Sequence, residues 1–164
     1  MLSRLQVRNY VLIDSLEIDF PEGLIIITGQ TGAGKSILMG ALGLVMGSKA
    51  DASMLSEGAE NCVVEAEFDV NPDDLLLKSV LEENDVEWDE GHLIVRRVVN
   101  RSGRSRAFVN DSPVSVQILQ DISSQLVDVH SQHQTLLLSD RNFQLGTLDY
   151  FADASSLRED CSLL

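Results

Sequence analysis

Lys35 and Ser36, preceded by Gly29, Gln30, Thr31, Gly32, Ala33 and Gly34, are the residues whose types and spacing carry a chemistry by themselves. The eight match G-x-x-x-x-G-K-[ST], a phosphate-binding loop. Its glycines let several backbone N–H groups converge on one anion, and the helix that follows adds its positive dipole end. Lys35 would reach the β- and γ-phosphates as a point charge, and Ser36 would offer its hydroxyl to Mg²⁺. The bland alternative is a glycine-rich turn between a core strand and a core helix. The flanks favour the phosphate loop, so binding of a nucleoside triphosphate such as ATP, with Mg²⁺, is the first expectation.

Such a loop needs a strand leading in and a helix leading out. Leu24 to Ile27 is an apolar, β-branched run that reads as a buried strand, and Ile37, Leu38, Ala41, Leu42 and Val45 recur at helical spacing. Gly40 and Gly43 lie inside that helix, where each costs about 1 kcal/mol against alanine, so close packing against a sheet is their expected reason. Gly47 reads as the C-terminal cap.

Upstream, Leu5 and Val7, then Leu16, Ile18 and Phe20, alternate with polar residues on either side of Asn9-Tyr10, as a pair of strands entering the Pro21-Glu22-Gly23 turn would. Downstream, residues 48 to 60 form a loop with room for one helical turn, either folded back toward the nucleotide or plain surface. Asn61 to Val70 alternates as a strand, with Val64, Ala66, Phe68 and Val70 on one side. Pro72 at a first helical position opens a helix through about Glu83. His92 to Asn100 and Arg104 to Asn110 form a hairpin across Arg101-Ser102-Gly103. Asn110 to Pro113 is a turn, Val114 to Ile122 a short helix, Gln125 to Val129 a short strand, and the pattern is helical from Ser139 onward. The short links after the loop helix force antiparallel pairing, unlike the parallel order of a simple kinase or GTPase. The chain stops at Leu164 inside a helix-like pattern, which suggests a fragment.

The other constellations are weaker. His130 and His133 have no third ligand nearby for a metal, and Asp128, His130 and Ser131 are too close on one strand end to converge as a triad. Gln132, just after a strand, is either a Mg²⁺ ligand that orients an attacking water or a solvent-facing turn residue. Arg96, Arg97, Arg101, Arg104 and Arg106 gather five of the twelve basic residues in one hairpin. They read more readily as guards against edge pairing than as phosphate contacts. No run of four apolar residues ends in Asp-Glu, so the Walker B acid and base are missing, as are an LSGG-like signature and a guanine-reading Asn-Lys-x-Asp. A chain with this motif set should bind nucleotide weakly and hydrolyse it slowly or not at all.

Composition sets the class. The 164 residues carry 26 acidic and 12 basic side chains, for a net charge of −14, which opposes nucleic-acid binding by the surface as a whole. No apolar run is long enough for a membrane helix and no signal peptide opens the chain, so the expected location is cytoplasmic. Cys62 and Cys161 match no metal or disulfide pattern.

Leu5-Gln6-Val7-Arg8-Asn9-Tyr10, Ile18-Asp19-Phe20 and the Gly29–Ser36 loop resemble the opening of the structural-maintenance-of-chromosomes (SMC) class of ABC ATPases. Thr28 to Leu38, Ala50-Asp51-Ala52-Ser53, the Gly103 to Asn110 hairpin and Asp128-Val129-His130-Ser131-Gln132-His133 resemble the RecN family of bacterial double-strand-break repair proteins, over Met1 to about Phe151. The resemblance implies an α/β P-loop NTPase fold: the N-terminal lobe of an ABC-ATPase head, with a P-loop core and an antiparallel β subdomain. Residues 1–138 would be that lobe and 139–164 a helical segment leading toward a coiled coil. It implies that Lys35 and Gln132 serve catalysis and that Ser36 and Gln132 hold Mg²⁺. Gly29, Gln30, Thr31, Gly32, Ala33, Gly34, Lys35, Ser36, Arg8 and Asn9 would bind ATP. Implied partners are a C-terminal head lobe and coiled coil of the same chain, a second head in a homodimer, and DNA, with a nucleoid-associated location and no membrane. A self-contained P-loop kinase for a small molecule is the alternative enzyme, and a nucleotide-sensing binding module the alternative without catalysis.

Overall fold

The computed structural model describes residues 1–28, 33–88 and 91–127, all within the compact unit Met1–Asp128. Alternation of apolar and polar residues builds its sheet. β1 (Leu2–Tyr10), β2 (Ile13–Asp19), β3 (Asn61–Asp69), β4 (His92–Asn100), β5 (Ser105–Val109) and β6 (Ser112–Val114) pair in the order β2-β1-β3-β4-β5-β6, every pairing antiparallel. A small-molecule kinase would require parallel strands here, and the described residues contain none.

One face of the sheet is the core. Leu5 and Val7 of β1, Cys62, Val64, Ala66 and Phe68 of β3, Leu93, Val95 and Val99 of β4, and Ala107 and Val109 of β5 are buried on it. Helix α1 (Ala33–Val45) packs there with Ala41, Leu44 and Val45, helix α2 (Leu75–Glu83) with Leu77 and Leu81, and helix α3 (Val116–Leu126) with Leu119 and Ile122. Strand residues of opposite parity, Arg4, Gln6, Arg8, Val63, Glu65, Arg96, Val98, Arg106 and Phe108 among them, stay partly or fully exposed.

Gly47 caps α1 as expected, with φ +85°. Its N–H bonds the Leu44 carbonyl at 3.1 Å and that of Ser48 bonds Gly43 at 2.9 Å, the paired bonds of a Schellman end. The loop beyond does contain one helical turn, Ala52–Met54, but it is stitched to the β1–β2 turn: Val11 N–H donates to Met54, and Ser56 N–H to Asn9.

Four expectations need correction. Leu24 to Ile27 is no buried strand: no strand is assigned there and its side chains are 90%, 40%, 75% and 49% exposed. β-branched residues favour an extended chain, yet burial needs a neighbouring strand, and none of the described residues supplies one. Helix α2 starts three residues later than Pro72 implied, because the Asp74 carboxylate accepts from the N–H groups of Leu76 and Leu77 and so sets the N-cap. Ser112 to Val114 forms β6, an edge strand where Pro113 loses no needed donor. Gln125 and Leu126 are the last residues of α3, so the strand expected from Gln125 does not begin there; its remainder from Asp128 lies outside the described residues.

Candidate functional site

The described part of the site is the N-terminal turn of α1. Gly34, Lys35 and Ser36 are exposed there, and the turn carries no acidic side chain to offset the positive dipole end. A Cβ built on Gly34 meets nothing within 4 Å among the described residues. These residues fit a phosphate group with its Mg²⁺: a helix N-terminus without a competing carboxylate, a lysine and a hydroxyl. Gly29, Gln30, Thr31 and Gly32 lie outside the described residues, as does Gln132, and of Ala33 only its place at the helix start is described.

What fixes this turn is the other end of its helix. Ser123 Oγ on α3 donates to the Val45 carbonyl at 3.0 Å, and Gln120 Nε2 donates to Gly47 at 2.9 Å. Those bonds satisfy C-terminal carbonyls that a helix otherwise leaves open. Midway along, Gly40 lets Tyr10 of β1 lie against the helix backbone, as its predicted close packing requires. Gly43 instead faces Ser48, so its need is the helix end and not the sheet.

Arg8 and Asn9 sit near the end of β1. Arg8 is exposed on the face opposite α1, in a pocket with Gln6, Val63, Glu65 and Arg96. Asn9 has φ +54° and donates from Nδ2 to the Asn61 carbonyl at 3.0 Å, which ties β1 to β3.

The arginine hairpin divides by parity. Strand β4 is interior, so Arg96 and Arg97 do not guard an edge, whereas β6 covers only Ala107 to Val109 of β5 and leaves Arg104 and Arg106 on its uncovered stretch. Arg96 faces outward, paired with Glu65 at 2.6 Å and with Asp111, over the Phe108 ring at 5.8 Å. Arg97 faces inward and is only 2% exposed. Its Nη2 donates to Ser105 Oγ at 2.8 Å, whereas Nε and Nη1 have no partner among the described residues, and burial holds its pKa below the ordinary arginine value. Period-two counting through Leu93, Val95, Arg97 and Val99 was the signal that could have placed it inside; reading the arginines as one group hid it. No cluster of three or more metal-ligating side chains occurs among the described residues.

The AAA domain profile matches residues 4–158. The chain belongs to the AAA domain family. Within that family it is similar to DNA repair protein RecN of Vibrio cholerae serotype O1, with 38% identity over 157 residues that make up 96% of this chain and 28% of the relative. RecN of Haemophilus influenzae is 37% identical over 153 residues, 93% of this chain and 27% of the relative. The chain therefore spans little more than a quarter of the curated relatives it matches. Among solved structures, the SMC head domain from Thermotoga maritima has a TM-score of 0.55 at 24% identity, over 73% of this chain and 41% of that one. One from work on ATP-driven dimerization and DNA-stimulated activation of SMC ATPases has a TM-score of 0.58 at 22%, over 75% and 77%. The AAA-family chain thus has the fold of an SMC-type ATPase head, with its P-loop helix against an antiparallel sheet.

Proposed function

We propose that this AAA-family chain is the nucleotide-binding N-terminal lobe of a RecN-like ATPase head that acts in repair of DNA double-strand breaks. In this reading residues 1–138 form the lobe, and 139–164 lead toward a coiled coil. The observation that carries it is the extent of the similarity to RecN, 96% of this chain against 28% of the relative, with the phosphate-loop motif inside the match.

The chain's own residues then have defined tasks. The Gly29 to Gly34 backbone cradles the phosphates of ATP, Lys35 places positive charge beside them, and Ser36 and Gln132 hold the metal, with Asn9 as a further nucleotide contact. Mg²⁺, when bound, neutralises charge on the β- and γ-phosphates. Gln132 orients water, while the signature and the Walker B acid and base come from a C-terminal lobe. Exposure of Leu24 to Ile27 supports a shared site: an apolar, β-branched run beside the phosphate loop wants strand neighbours, and a C-terminal lobe would provide them. Two such heads would close around ATP as a homodimer and couple that closure to DNA. No described helix is long and apolar enough to cross a membrane, in keeping with a location beside the nucleoid.

The test is ATP turnover by the longer chain that spans the relatives' full length. Hydrolysis that Lys35→Ala abolishes is expected. Turnover indifferent to that substitution would sink the reading.

A further inference from the structure

The edge of the sheet beside α3 is open over a short stretch of β5. Asn100 N–H bonds the Arg104 carbonyl at 3.0 Å and Asn110 N–H bonds that of Ile94 at 2.9 Å, which fixes the phase of the β4–β5 ladder. The register then turns the backbone groups of Arg106 and Phe108 toward β4, and those of Ser105, Ala107 and Val109 toward the β6 side. β6 meets Ala107 with Val114 and Val109 with Ser112, and ends before it reaches Ser105. The chain turns away there, since Ser115 Oγ accepts from Ile118 N–H at 3.2 Å and starts α3. No described strand therefore covers the N–H and C=O of Ser105. The outer edge of β6 is a poorer template, because the backbone that points there is that of Pro113, which has no N–H.

A groove runs along this stretch, with Ser105, Arg106, Phe108, Pro113, Val114 and Val116 in its lining. Its two sides differ in chemistry. Val114 is paired with the inward-facing Ala107, so the inner side is apolar. On the outer side Arg104 and Arg106 are exposed and take part in none of the ion pairs formed among the described residues. A strand laid against Ser105 sets the residues on either side of its contact opposite Arg104 and Arg106. Those are non-hydrogen-bonded positions, where cross-strand side chains come closest. Acidic residues at the two places, with an apolar residue between them turned into the groove, match both sides. A second copy of this chain does not, because two such edges would set arginine against arginine.

The geometry points to strand addition: the open edge of β5 at Ser105 docks an extended segment of a partner protein whose side chains read acidic, apolar, acidic. Arginines on an edge discourage pairing with like-charged strands, and by the same repulsion they select an acidic one. The main chain of Ser105 supplies the hydrogen bonds, and the arginines supply the choice of partner. The edge is held from within, since Ser105 Oγ accepts from the buried Arg97 at 2.8 Å. So short a contact suits a transient partner. This surface is separate from the phosphate loop and does not depend on the ATP-binding reading.

The test is a fluorescence-anisotropy titration of the chain with a labelled peptide of about six residues in which glutamate and valine alternate. Saturable binding is expected. Methylating the valine nitrogens keeps the charges and removes the donors that face Ser105, and should weaken binding about fivefold or more. Methylating the glutamate nitrogens, which point away from β5, should leave it unchanged. Arg104→Gln/Arg106→Gln should weaken binding about tenfold, lysine in place of glutamate in the peptide should abolish it, and Arg4→Gln on β1 should match the wild type. No saturable binding up to about 1 mM peptide would overturn the proposal. So would a valine-methylated peptide that binds as its parent does, or a double glutamine variant that binds as the wild type does. Self-association of the chain that the peptide dissolves would put a second copy on this edge, and overturn it too.

Discussion

The phenol oxygen of Tyr10 lies 2.5 Å from the point that a Cβ on Gly40 would occupy. Tyr10 is buried at the end of β1, and Gly40 is in the second turn of the helix that opens with Lys35 and Ser36. This close approach therefore joins the sheet to the element that presents the phosphate-binding residues.

Gly40→Ala tests that approach. Helix propensity alone would make the substitution favourable by about 1 kcal/mol, but overpacking costs typically about 1–3 kcal/mol, so a net loss of stability is expected in urea unfolding. Tyr10→Phe removes the offending oxygen and leaves the ring carbon at 3.6 Å. Gly40→Ala should consequently be milder in the Tyr10→Phe background. An unchanged penalty there would mean that something other than Tyr10 sets the helix position.

Arg97 offers a sharper case. Desolvating a guanidinium with two nitrogens unpartnered costs more than its single bond to Ser105 returns. Arg97→Met, close in volume and without charge, should therefore be neutral or raise stability by about 1–3 kcal/mol, read as a higher urea midpoint. Clear destabilisation would show that the guanidinium has an acceptor in solution.

Cys62 predicts a dependence on pH. Burial pushes its thiol up to about 11 from an ordinary value of 9.0. The folded state thus keeps its proton where the unfolded chain has lost it. Stability should be fully present below about pH 9 and fall as pH rises toward 11, by about 2–3 kcal/mol from this group. Cys62→Val should flatten that part of the profile in chemical denaturation at about pH 8 to 11. A slope that survives the substitution assigns the effect to other groups.

Much of the fold was legible in the sequence because the decisive forces were local. Period-two alternation set β1 to β5 and the hairpin at Arg101 to Gly103, and Gly47 marked the helix end because glycine takes the left-handed conformation there without strain. Misreadings came where distant structure decides. Leu24 to Ile27 has strand composition, but no propensity reveals whether a neighbour covers it. Pro113 disguised β6, whose edge position alone makes proline acceptable. Asp74 outcompeted Pro72 as the helix start because its carboxylate satisfies two N–H groups where proline satisfies none. In the candidate site, Lys35 and Ser36 were legible as a motif. The separation of Arg8 from α1 by the thickness of the sheet was not, since it depends on which face the helices choose.

Whether Lys35 holds the phosphates of ATP is tested most directly by titrating the chain with ATP and Mg²⁺ and repeating the titration with Lys35→Ala. Saturable binding is expected, weakened at least tenfold by the substitution, about 1.4 kcal/mol, with no phosphoryl transfer by this chain alone. Binding of equal strength in the Lys35→Ala chain, or phosphorylation of a small molecule by the wild type, would contradict the assignment of this chain as one half of a shared ATP site.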